Sequence, residues 1–227
     1  MKVMIFVDHQ NFCQSLWRID RHRQEKISGL SNFVMEHLNA QLNWAKYNPR
    51  LIRNYIYTGE YADTTIGKIK KDLEIAKTEK PKFVGAIEET LKNSLRRQEG
   101  QKKAFEAIRN NSSFLEIRAK PLQYSRGRIF QKGIDVQLAV DLVSHAYLNS
   151  YDVAVVCSGD VDLIESIKLV KNLGKKVIVI SHPENTASAI LKECDYFIDL
   201  SKLNEEQLNG ISRFVEYENE LESIKIN

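Results

Sequence analysis

Glycine and proline are scarce, with 10 and 4 in 227 residues, which leaves little room for long flexible linkers. The three cysteines, Cys13, Cys157 and Cys194, are odd in number and far apart. No CxxC pair and no Cys/His pair at zinc spacing accompanies them, so a structural zinc site is not expected. No apolar run approaches the length that spans a bilayer, so no membrane partner is expected. The first residues, MKVMIFVDHQNF, reach Asp8 too soon for a secretory signal and read as a buried strand. A cytoplasmic protein is the expectation. A strong bias of charge is also lacking: the net charge is +3, so any contact with nucleic acid must come from a local basic patch.

What is present is a soluble, globular composition, 43% hydrophobic and 28% charged, long enough for one domain with a sizeable core and an embellishment. Short β-branched runs at 2–7, 51–57, 114–121, 152–157, 176–181 and 196–200 read as strands. Helical patterns fall at 11–20, 30–47, 134–149, 163–172 and 186–194, and an amphipathic one at 205–224 carries Leu208, Ile211, Phe214, Val215 and Leu221. Strands alternating with helices predict a parallel sheet covered on both faces, an α/β fold. Residues 66–109 differ, with 12 basic against 7 acidic residues, an excess larger than that of the whole chain. They read as two charged helices broken near Pro81, a basic helical insertion at about 62–112 in a domain of residues 1–200. Residues 201–227 would pack as a helix on this domain or on a partner chain, as in a homodimer.

The chemistry concentrates where strands end. The run 152–157 leads into Ser158, Gly159, Asp160, Val161 and Asp162. Open α/β sheets bind ligands at that edge. Asp8 ends the first strand and Asn11 follows within a turn, while Asp135 opens a helix just after Lys132 and Gly133. Each acid alone could be a helix cap or a dipole partner. Three such junctions on one edge instead predict a clustered acidic site, which is costly unless a cation neutralises it. Oxygen ligands favour Mg²⁺ or Mn²⁺ over zinc. Such a site suits in-line displacement at a phosphate. Asp141, six residues beyond Asp135, is off its helical face and reads as a supporting acid. Ser158 reads as bonding an aspartate, a water or substrate. Arg126, Arg128 and Lys132 would meet phosphates. Tyr55, Tyr57, Tyr61 and Tyr124 lie among them, and basic groups with aromatics suit single-stranded nucleic acid. One of Tyr55 and Tyr57 is expected to face the core. His9 has no partner at zinc spacing and is not expected to bind metal.

Four blocks, DHQN after a strand, KGIDVQLAVDL, YDVAVVCSGDVDLIESIKLVKNLGKKVIVIS and ASAILKECDYFIDL, resemble the NYN domain, the PIN-like nuclease group that includes LabA-like proteins. The resemblance covers most of 1–57 and 115–200. It implies a PIN-like three-layer α/β/α sandwich and metal-dependent cleavage of RNA. It places the family's acidic metal-binding positions at Asp8, Asp135, Asp160 and Asp162, with Asn11 as a supporting polar residue and Asp141 matching a frequent family acid. Of these, Asp8, Asp135 and Asp160 are read as the metal ligands, with Asp162 and Asn11 completing the catalytic set. Two departures stand out: His9, where many members carry glycine, and the long basic arm. The reading is an endoribonuclease using Mg²⁺ or Mn²⁺ on single-stranded or flexible RNA, with a non-catalytic RNA-binding module as its rival. A haloacid dehalogenase-type phosphatase fits less well, because Gln10 stands where its second aspartate belongs.

Overall fold

The computed structural model describes residues 1–111 and 114–215. The chain opens with β1 (Lys2–Asp8), α1 (His9–Trp17), a short β2 (Arg23–Glu25), α2 (Ile27–Ala40) and β3 (Arg50–Glu60). Two helices, α3 (Asp63–Glu79) and α4 (Val84–Asn111), precede β4 (Leu115–Pro121) and the paired strands β5 (Gln123–Ser125) and β6 (Arg128–Phe130). The chain then alternates through α5 (Ile134–Tyr147), β7 (Val153–Cys157), α6 (Ile164–Asn172), β8 (Lys176–Ser181), α7 (Ser188–Glu193) and β9 (Tyr196–Asp199). It continues as α8 (Glu205–Ile211) and β10 (Ser212–Phe214).

Six strands form one parallel sheet in the order β4-β3-β1-β7-β8-β9. Strands buried on both faces need side chains that are apolar on both faces, and β7 is Val-Ala-Val-Val-Cys with every residue buried. Val3, Ile5 and Val7 point to α1 and α2, while Met4 and Phe6 point to α5 and α6. The result is the α/β/α sandwich that the sequence predicts. The strand order reverses between β1 and β7, and this switch point is where open α/β sheets leave a crevice beyond the carboxyl ends. Val7 pairs with Cys157 across it, so Asp8 and Ser158 emerge side by side.

The segment expected as a basic insertion is a helical hairpin with its own small core. Ile69, Leu73 and Ala76 of α3 pack with Ile87 of α4 and Tyr124 of β5. Residues 122–132 contain the β5–β6 hairpin, turned by Arg126 and Gly127, both at positive φ. The helix expected over 30–47 starts earlier, at Ile27, and stops at Ala40. The helix expected over 205–224 ends at Ile211, and Ser212 starts β10 instead, because β10 pairs antiparallel with β2. Leu221 and the rest of 216–227 lie outside the described residues. Arg23 pins this corner: its buried guanidinium donates to Asn209, Ser212 and Glu205 and lies 4.3 Å from the Phe214 ring centre. No helix among the described residues is long and apolar enough to cross a membrane.

The α2–α8 crossing rests on Gly29. A Cβ there would sit 1.8 Å from the carbonyl oxygen of Gly210. Alanine is worth roughly 1 kcal/mol over glycine inside a helix, yet the clash forces the helices apart and costs more. Gly29→Ala is expected to destabilise the protein by about 1–3 kcal/mol in urea unfolding. A gain in stability would show that the helices separate freely.

Candidate metal centre

Asp8 is the N-cap of α1 because the chain must leave β1 and turn at once into a helix. Its Oδ1 accepts the backbone N–H of Asn11 at 3.1 Å, a usual cap bond. Its Oδ2 faces the Ser158 hydroxyl at 3.4 Å, just beyond β7. Ser158 Oγ in turn receives the Asp160 N–H at 3.3 Å. Asp160 Oδ1 accepts the Asp162 N–H at 3.0 Å, so this carboxylate also caps the next helical turn. Asp135 enters from α5, whose N-cap, Gly133, has φ 75, a conformation side chains resist.

Carboxylate oxygens of Asp8, Asp135 and Asp160 all lie within 4.8 Å of one another. No salt bridge neutralises them among the described residues. Burial, with smaller contributions from Asp135 and Asp160, pushes the Asp8 carboxyl up to about 6. Burial, then the Asp160 and Asp162 charges, also raises Asp135. Three oxygen donors with uncompensated charge fit a hard divalent cation and fit zinc poorly.

The other sequence-predicted residues divide. Asn11 is in place, but as a brace: its Oδ1 accepts the Gly159 N–H at 2.9 Å. Asp162 is exposed at the rim and lines a surface groove with Asp135, Val136 and Val140. Ser158 is buried, so it holds two acids and is not placed to touch substrate. Asp141 stands apart from the cluster, accepting the Tyr57 hydroxyl at 2.9 Å with Arg118 at 4.0 Å. Arg126, Arg128 and Lys132 are exposed, on or just beyond the β5–β6 hairpin that leads into Asp135. The expected aromatic surface does not form: Tyr55, Tyr57 and Tyr124 are all buried, since β3 is covered on both faces and Tyr124 fills the insertion's core. Tyr61 alone of the four stays half-exposed, with the Arg97 guanidinium donating to its hydroxyl.

Sequence reasoning missed Asn185. From the loop after β8 its amide donates to the Asn11 backbone carbonyl, to Asn11 Oδ1 and to Ser15 Oγ, at 3.1, 3.2 and 2.8 Å. It lies on the same sheet edge as the acids, which was the available signal. Lys120 was missed too; it donates to the Gly133 carbonyl at 2.8 Å, a cation beside the Asp135 turn. His9, which the sequence leaves without a partner, has two potential ligands beside it in the fold. Cys13 lies one turn on along α1, and Glu25 comes from β2, a strand with no sequence signal.

The family model of the NYN domain matches residues 2–202. Among solved structures, the chain is similar to a crystal structure of a protein of unknown function from Vibrio parahaemolyticus. That likeness has 18% identity and a TM-score of 0.53, over 88% of this chain and 92% of the other. It is a likeness of fold. No curated protein matches the chain.

Proposed function

The chain belongs to the NYN domain family, a PIN-like nuclease family, and on that premise we propose that it is a metal-dependent endoribonuclease acting on single-stranded or flexible RNA. The observation that carries the reading is the convergence of Asp8, Asp135 and Asp160 at the switch point of the sheet. These three would hold Mg²⁺ or Mn²⁺. When bound, such a cation supplies Lewis acidity to a phosphoryl oxygen and acidifies water for in-line attack.

The protein's own groups do the positioning. Asn11 and Asn185 brace the Gly159 turn, so Asp160 is presented without rearrangement. Asp162, exposed beside Asp135, is free to orient the attacking water by accepting its proton. Lys132, Arg126 and Arg128 meet the phosphates on the approach from the hairpin. With Tyr55, Tyr57 and Tyr124 buried, affinity for RNA comes chiefly from these charges and is salt-dependent.

The test compares labelled single-stranded RNA and DNA incubated with Mn²⁺, Mg²⁺ or chelator. Cleavage of RNA is expected with either cation and none with chelator. Asp160→Asn is expected to lose about 10²–10³-fold in rate, as when a charge-stabilising group is removed from an active site. Full activity in that variant would end the assignment. Salt-sensitive RNA binding with no cleavage under any condition would leave the non-catalytic module.

A further inference from the structure

A second group of donors lies beside Asp8, and the nuclease reading makes no use of it. His9 and Cys13 are one turn apart on α1, and Glu25 reaches them from β2. His9 Nε2 is 2.8 Å from Glu25 Oε1, Cys13 Sγ is 2.9 Å from Glu25 Oε2, and Cys13 Sγ is 3.8 Å from His9 Nε2. The three donor atoms fall within 4.8 Å of one another. Thr58 Oγ1 faces the other ring nitrogen, His9 Nδ1, at 3.4 Å, which turns Nε2 toward the thiol and the carboxylate. A polar partner on the far nitrogen is the usual support of a metal-ligating histidine.

We propose that His9, Cys13 and Glu25 form a site for a thiophilic divalent cation, zinc foremost, distinct from the oxygen-only cluster at Asp8. The donor set is the argument. One thiol, one imidazole and one carboxylate are the mixture that borderline-soft zinc accepts, and magnesium does not compete for sulfur. The geometry is close to what is needed. Ligand distances of about 2.0 Å to nitrogen and oxygen and 2.3 Å to sulfur put tetrahedral donors roughly 3.3–3.6 Å apart. Glu25 must therefore draw back by about half an ångström, and His9 and Cys13 must close by a few tenths of an ångström. Burial suits it as well: Cys13 is buried and the Glu25 side chain 13% exposed, whereas the His9 side chain is 35% exposed and leaves a side open for water or a fourth ligand.

The thiol is not a nucleophile in this setting. Burial and the Glu25 carboxylate both raise its pKa, so it stays protonated until a cation displaces the proton to solvent. The site's place in the fold gives it a structural task. Glu25 pairs with Ser212 in the β2–β10 ribbon, so a cation here would clamp α1, and with it Asp8, to that ribbon.

The test uses the whole chain, stripped by chelator and kept reduced, titrated with Co²⁺. One equivalent is expected to give a sulfur-to-cobalt charge-transfer band, which one equivalent of Zn²⁺ removes and excess Mg²⁺ leaves. Cys13→Ser is expected to abolish the band, and Glu25→Gln to weaken Zn²⁺ binding by more than the roughly 10–100-fold that loss of an outer-shell partner costs. Asp135→Asn is expected to keep the band, which separates this site from the acidic cluster. A protein with no thiolate band, or a band that survives in folded Cys13→Ser and so belongs to Cys157 or Cys194, overturns the proposal. Either result is independent of whether RNA is cleaved.

Discussion

Asp8→Asn is expected to lower metal-dependent cleavage by about 10³-fold or more while making the metal-free protein more stable at neutral pH. The loss follows from removing the most buried of three oxygen ligands; interactions worth about 4 kcal/mol in the transition state account for three decades of rate. The gain follows from the same burial. Asparagine still caps α1, since its side-chain oxygen accepts the Asn11 N–H as the aspartate does. What disappears is a carboxylate that the fold desolvates and places against Asp135 and Asp160.

The pH dependence carries the sign. The Asp8 carboxyl is at about 6 in the fold, above its ordinary 3.8. The folded state therefore holds a proton that the unfolded state has given up, and stability falls as pH rises between those values. A shift of this size corresponds to about 3 kcal/mol, lost progressively and fully lost above the folded value. Asp8→Asn avoids that loss. Urea unfolding in chelator should show wild type and variant nearly equal at about pH 4 and the variant ahead at about pH 8. Addition of Mn²⁺ should close the gap by raising only the wild type. A variant that is less stable than wild type at both pH values would mean that the acids are not crowded in solution.

How much of this was legible in the sequence depended on what each element rests on. The strands ending in Asp8 and Cys157 are short, β-branched and apolar throughout, a pattern that a strand buried on both faces requires. The acids at their ends were legible for the same reason, since a polar residue straight after such a run sits at the sheet edge. β2 and β10 were not legible. Each has three residues, and each is a strand because it pairs with the other across the whole chain, with Arg23 tying them. No local periodicity encodes that. The apolar spacing of Leu208, Ile211, Phe214 and Val215 mimics a continuing helix, but Phe214 covers the Arg23 guanidinium and not a helical core. Glu25 inherits this invisibility, and the His9–Cys13–Glu25 group was hidden with it. The tyrosines failed differently. Alternation along 51–57 implies one dry and one wet face, but α5 covers the second, so Tyr57 meets Asp141 and not solvent.

Gly159→Ala is expected to reduce cleavage by about 10²-fold, close to the effect of losing an acid, although glycine contributes no functional group. A Cβ at this position would lie 2.2 Å from the Asn185 carbonyl oxygen, 2.6 Å from Thr186 Cα and 2.7 Å from Thr186 Oγ1. The first two are backbone, and neither side can yield cheaply. The Gly159 N–H is held by Asn11 at 2.9 Å, and its carbonyl receives the Ala187 N–H at 3.0 Å. The added methyl must therefore push the turn off the loop after β8 and carry the next residue, Asp160, away from Asp8 and Asp135. Displacements near 1 Å are enough to cost two decades in rate. The overpacking should also cost about 1–3 kcal/mol of stability. Gly67→Ala is the matched control, since its Cβ meets nothing within 4 Å on α3 and should be neutral or stabilising. Single-turnover cleavage and Mn²⁺ affinity, measured for both variants, decide the matter. Wild-type rate and affinity in Gly159→Ala would show that the turn adapts and that the position of Asp160 is not set by this contact.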